Sequence, residues 1–324
     1  MGPMLIAAGL LLALGAAAGL ARECLRAQPA ASFPRSGWIA LAALAGLELL
    51  LALRVGWVST YFTALVWTAY LFVADAAVRR LRGRSLFQSP ARAAALALLS
   101  IPVWYLFEAY NFRLRNWIYT GMPRNGLASL LGANWAFATI LPGIFLTAEL
   151  LYAAHFQAWR CRPWRPGGLL RAMLAGLGFA LVAVPLLLPA NRAAYLFGLV
   201  WVGFVLLLDP LNAALGWPSL LADLRRGLPG RALALLASGL VCGFFWEFWN
   251  FWAAARWRYV FPIAQQWKIF AMPLPGFLGF PPFALECFAL WIFFSRLLLP
   301  AGLAAGVCDE VPGPGLPQPA QTLK

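Results

Sequence analysis

Ala232-Leu-Ala-Leu-Leu-Ala-Ser-Gly-Leu-Val-Cys-Gly-Phe-Phe-Trp-Glu247-Phe-Trp-Asn250-Phe-Trp252 places one carboxylic acid in an otherwise apolar and aromatic run. At about 1.5 Å per helical residue, the run crosses the roughly 30 Å hydrocarbon core of a bilayer. Comparable runs occur at 4–20, 38–53, 58–76, 94–112, 133–153, 170–189, 193–208 and 278–298. The chain is 63% apolar and 11% charged, with a mean hydropathy of +0.76. No soluble domain of this size hides that much apolar surface. The expectation is an all-α fold: a polytopic helical membrane protein with about nine transmembrane helices. The first run lacks a basic leader, since the first arginine is Arg22, so a retained helix is expected in place of a signal peptide.

The run is also half of a duplication. Tyr61-Phe-Thr-Ala-Leu-Val-Trp67 answers Tyr195-Leu-Phe-Gly-Leu-Val-Trp201. Asp75 and Asp209 each lie eight residues after the tryptophan. Phe107-Glu108-Ala-Tyr-Asn111-Phe answers Trp246-Glu247-Phe-Trp-Asn250-Phe, Trp117-Ile-Tyr119 answers Trp257-Arg-Tyr259, and Glu149 answers Glu286. Copies that start four spans apart have the same orientation, so two parallel repeats about an axis along the membrane normal are expected. Leu44-Ala-Gly-Leu47 and Leu174-Ala-Gly-Leu177 extend the correspondence by one span. The expected organisation is an N-terminal helix and loop (1–37), a first half (38–157), a second half (158–299) and a disordered Pro/Gly-rich tail (300–324).

Charge sets direction. Loops after odd-numbered spans hold fifteen arginines, and those after even spans hold eight Arg or Lys. The positive-inside rule therefore predicts an outside N-terminus and a cytoplasmic C-terminus, in a bacterial inner membrane. The net charge of +14 is spread over short loops with no basic face, which argues against nucleic acid as a partner. The five cysteines show no metal-type spacing and there is one histidine, so no metal or other cofactor is expected.

Intramembrane acids are costly, and keeping them in both copies points to function. Glu108/Asn111 and Glu247/Asn250 are i, i+3 pairs on one helix face. Aromatic residues surround them. Met272-Pro-Leu-Pro-Gly-Phe-Leu-Gly-Phe-Pro-Pro-Phe283 is too apolar for an aqueous loop and too broken for a regular helix; a re-entrant or kinked segment lining a cavity is expected. Desolvation disfavours the charged form of an acid. A protonated acid can protonate an alkene, and aromatic faces stabilise the resulting cation by roughly 0.5–2 kcal/mol each. Excluded water spares the cation from quenching. Competing readings are a helix cap at Asp75 and Asp209, ion pairing of the glutamates with Arg113, Arg115, Arg256 or Arg258, and interface anchoring by the aromatics.

Tyr195, Trp246-Glu247, Trp257-Arg-Tyr259 and Pro282 to Glu286, with Tyr61, Glu108, Trp117-Ile-Tyr119 and Pro142 to Glu149, resemble the lycopene cyclase domain of heterodimeric and fused carotenoid cyclases. The likeness covers residues 61–149 and 195–286. The family's Pro-x-Glu-Glu is reduced here to a single glutamate, and Phe107 stands where the second copy has Trp246. Integral-membrane terpene cyclases are similar more loosely. The resemblance implies an intramolecular lyase or isomerase acting on a lipophilic isoprenoid. Glu108, Glu247, Glu149 and Glu286 are then the candidate catalytic acids. Asn111 and Asn250 would orient them, and Trp117, Tyr119, Trp246, Trp249, Trp257 and Tyr259 would meet substrate, with Asp75 and Asp209 as further candidates. A proton-coupled transporter or lipid-phosphate-handling protein, and a purely structural membrane protein, remain open alternatives. The oligomeric state is not legible.

Overall fold

The computed structural model describes residues 3–300, 302–304 and 306–309. Nine helical segments among them are long and apolar enough to cross a membrane, as the sequence predicts. Helices α1 (Pro3–Arg26) and α2 (Arg35–Ala52) are followed by α3 (Gly56–Arg82), α4 (Pro90–Leu114), strand β1 (Trp117–Thr120), α5 (Gly126–Ala138) and α6 (Ile140–Leu151). The second half runs through α7 (Gly168–Leu187), α8 (Ala190–Ala193), α9 (Phe197–Ala214), α10 (Leu220–Arg225), α11 (Gly230–Trp252), β2 (Arg256–Tyr259), β3 (Lys268–Ile269), β4 (Met272–Pro273) and α12 (Phe280–Leu298). Helix α3 continues six residues past the predicted end. Arg79, Arg80 and Arg82 occupy its last turn, where cations oppose the negative end of the helix dipole, and Gly83 closes it at φ +70°.

The two halves are built alike. Helix α2 packs on α3 as α7 packs on α9; α6 packs on α3 and α4 as α12 packs on α9 and α11. Contacts between halves also come in equivalent pairs, α11 on α6 and α4 on α12. Rings follow the same rule. Trp67 lies 5.1 Å from Trp246, and its counterpart Trp201 stacks 5.2 Å from Phe107, the counterpart of Trp246. Two-fold exchange therefore organises the core.

The fifth span is broken between Ala138 and Ile140. Ser100 of α4 repairs the break: its hydroxyl donates to Phe137 O (2.5 Å) and accepts the Leu141 N–H (3.1 Å). Without water in the membrane core, freed backbone groups need such partners.

The tail departs from expectation in part. Cys308 is buried and its N–H bonds Glu149, while Asp309 pairs with Arg231 at 3.1 Å. Packing against these charges orders residues read as disordered from composition. Residues 310–324 of the expected tail lie outside the described residues.

Candidate active site

Strands β1 and β2 pair antiparallel, with Trp117 opposite Tyr259 and Tyr119 opposite Trp257. Exchanging the two copies leaves this register unchanged, so the local two-fold passes through the pair Ile118/Arg258. Strand hydrogen bonds after two membrane helices carry no periodic signature over four residues, and the sequence reading missed them. Each strand is fixed to the helix before it by an asparagine. Asn111 Nδ2 donates to Trp117 O (2.9 Å) and its Oδ1 accepts the Asn116 and Trp117 N–H groups (2.8 and 3.0 Å). Asn250 repeats this with Trp257, at 3.0 and 2.9 Å. The expectation that Asn111 and Asn250 orient the carboxyls is corrected: their amides match the backbone's paired donor and acceptor and hold the strands.

The strands in turn hold the acids. Glu108 Oε1 accepts three donors: Tyr119 O–H at 2.5 Å, Trp104 Nε1–H at 2.9 Å and Trp117 Nε1–H at 3.1 Å. Glu247 Oε1 accepts the Tyr259 O–H at 2.9 Å, and that phenol oxygen accepts the Trp257 Nε1–H at 2.9 Å. Glu247 is fully buried, and its Oε2 has no hydrogen-bond partner among the described residues. One of the two extra donors is the Trp117 indole, whose counterpart Trp257 bonds Tyr259 instead; the other traces to a single position. Trp104 lies one helical turn before Glu108, where the second copy has Gly243. A side chain at Gly243 would fall in the Phe280 ring. Trp104 was not among the expected site residues, although its i, i+4 spacing to Glu108 was legible.

The tyrosine and tryptophan of both sets line one cavity of about 400 Å³, and Glu108 and Glu247 stand one hydrogen bond behind its wall, through Tyr119 and Tyr259. Tyr61 and Tyr195, Trp67 and Trp201, Trp117 and Trp257, and Tyr119 and Tyr259 all line it, so each duplicated aromatic meets its counterpart across the same space. Trp246 and Phe283 add to the walls, and the segment from Met272 to Phe283 lines one side, partly as a 3-10 helix, Leu274–Gly279. Burial, and then the neighbouring glutamate, pushes the Tyr119 and Tyr259 hydroxyls well above the ordinary phenol value. Both therefore face the cavity as neutral O–H groups.

Other expected site residues lie elsewhere. Glu149 forms an ion pair with Arg82 and accepts the Cys308 N–H. Glu286 is fully buried against α9, where its Oε1 accepts the Phe204 N–H at 2.8 Å. Neither lines the cavity. The spacing along the last span of each half is equivalent, but one copy found a guanidinium and the other a helix backbone. Trp249 is also corrected: its Nε1–H bonds Glu48 at 2.7 Å and its ring meets Trp67 edge-on. Arg113 and Arg256 donate to Leu188 O and Phe251 O, each at 2.5 Å. Neither Glu108 nor Glu247 pairs with a cation among the described residues.

Asp75 and Asp209 are caps, not cavity residues. Asp75 accepts the Phe87 N–H (2.9 Å), and Asp209 accepts those of Leu220 (2.7 Å) and Leu221 (2.9 Å) at the start of α10. Each closes the loop that follows its own span. Asp209→Ala is expected to cost about 1–3 kcal/mol, the penalty for leaving buried donors unpaired. Thermal unfolding in detergent should show the loss.

Comparisons with family models, with curated proteins and with solved structures return no match.

Proposed function

We propose that this is an integral-membrane enzyme that protonates an alkene of a lipophilic isoprenoid and so cyclises or isomerises it. The observation that carries the reading is that Tyr119 and Tyr259, each hydrogen-bonded to an equivalent glutamate behind it, line one aromatic-walled cavity. A packing role for the acids does not call for this. Carboxyls serving only as structure would be expected to meet cations or backbone, as Glu149 and Glu286 do.

The two sets divide the work. Glu247, with one donor, supplies the proton; Glu108, with three donors converging on one oxygen, receives it. Protonated Glu247 reverses the 2.9 Å hydrogen bond and gives its proton to the Tyr259 oxygen, while the Tyr259 O–H turns into the cavity and its proton adds to an alkene carbon. The π pair forms the new C–H bond and the cation is left on the adjacent carbon. Indole and phenyl faces of Trp67, Trp201, Trp246 and Phe283 surround that charge. Loss of a proton from a neighbouring carbon, through Tyr119 to Glu108, restores a double bond, and return of the proton to Glu247 completes the cycle. Separate acid and base roles for two carboxyls in unlike surroundings are a general device. Neutral phenols suit the relay, because a phenolate would quench the cation.

Product extraction tests the reading. Cells that make isoprenoids and express the protein should accumulate a double-bond isomer or a ring product, and a solvent-deuterium label should enter its carbon skeleton. Unchanged isoprenoids would sink it.

A further inference from the structure

The end of the bundle that carries β1 and β2 has an unusual charge. The loops after even-numbered spans hold Arg54, Arg113, Arg115, Arg124, Arg192, Arg256, Arg258 and Lys268, and no aspartate or glutamate. None of these cations pairs with a carboxylate among the described residues. Acids are plentiful at the other end, where Glu23, Asp223 and Asp309 meet His155 or Arg231. Eight uncompensated cations repel one another and hinder transfer of these loops across a bilayer. An anionic ligand removes that conflict.

The cavity opens toward this end. Of the residues that line it, Arg256 alone is charged. Lys268 does not itself line the cavity, but its Nζ donates to the backbone O of Tyr259, a lining residue, at 3.3 Å. Burial, and then Arg258 nearby, pushes that ammonium below its ordinary value, against a smaller opposing pull from Glu247. Arg256 spends Nη1 on Phe251 O and keeps other N–H donors for a planar or tetrahedral oxyanion. Below the cations the walls are apolar. A chamber of about 400 Å³ has room for a prenyl chain.

We infer that the ligand of this cavity is a prenyl lipid with a phosphate head, its chain between the paired aromatics and its head on Arg256 and Lys268. The inference rests on the cavity being the substrate chamber and names the class of molecule it takes.

Binding to the purified full chain in uncharged detergent separates the terms, read by quenching of the cavity tryptophans. Farnesyl phosphate should bind saturably and at least tenfold more tightly than farnesol. Inorganic phosphate should not compete at matched concentration. Arg256→Gln with Lys268→Gln should bring farnesyl phosphate down to the farnesol level and leave farnesol binding unchanged, which also shows that the variant is folded. A preference for farnesyl phosphate that persists while extracted isoprenoids stay unchanged tells a failure of the acid chemistry from a failure of head-group recognition. Equal affinity for farnesol and farnesyl phosphate overturns the inference. So does competition by inorganic phosphate, or an unchanged preference in the double variant.

Discussion

Glu247→Gln is expected to lower product formation by roughly 10²–10⁴, the usual contribution of a positioned general acid, with little change in thermal midpoint. The amide keeps an oxygen for the Tyr259 O–H, which now spans 2.9 Å to Oε1. It adds no charge and little volume to a side chain that is fully buried. What it removes is the transferable proton. Glu108→Gln should fall in the same range for the opposite reason: the three donors on Oε1 remain served, but the group no longer takes up a proton. Glu149→Gln and Glu286→Gln are the controls and should stay within a few-fold of wild type per folded molecule, since the groups they bond, Arg82, Cys308 and Phe204, do not line the cavity. Chromatography of extracted isoprenoids, normalised to folded protein, reads all four. Normal turnover in Glu247→Gln would remove the acid from the mechanism.

Arg82→Met is expected to cost about 3–5 kcal/mol, because it strands the Glu149 carboxylate in a nearly dry place. The Arg82 and Glu149 side chains are only 4% and 15% exposed. Against a total stability of roughly 5–15 kcal/mol, the loss should appear as a large drop in the thermal midpoint and poor recovery from the membrane. Arg82→Met combined with Glu149→Leu should regain most of it, since apolar replacement of a whole buried pair is often neutral or better. Arg82 also donates to the Asp309 carbonyl, so the single variant should loosen the ordered end of the tail as well. Proteolysis of the tail, followed against the thermal midpoint, measures both. A double variant as unstable as the single one would show that the pair acts through something other than mutual neutralisation. A stable double variant that has lost turnover would return Glu149 to the chemistry.

Much of this was legible in the chain. Nine apolar runs gave nine helices, and paired motifs gave two halves whose contacts repeat under exchange. Glu108 and Glu247, with Trp117, Tyr119, Trp257 and Tyr259, were legible as one constellation written twice; the four aromatic residues line one cavity, with each glutamate hydrogen-bonded to its tyrosine. The remaining duplicated acids were equally visible but mean something else. Asp75 and Asp209 satisfy loop amides, a role that depends on where each loop turns back. Glu149 and Glu286 are paired in the sequence and have unlike partners, because Arg82 of α3 and the Cys308 N–H reach Glu149 alone.

Hydropathy and duplication are properties of order along the chain, and from them the sequence alone determined the class of fold, the number of crossings, the two-fold plan and the pairing of acids with aromatics. Which side chains share a space was decided only in three dimensions. It depends on how far each helix is rotated about its own axis and on one four-residue strand pair closing between residues far apart in sequence. Both are fixed by packing between the halves, an interaction that leaves no period in either half by itself.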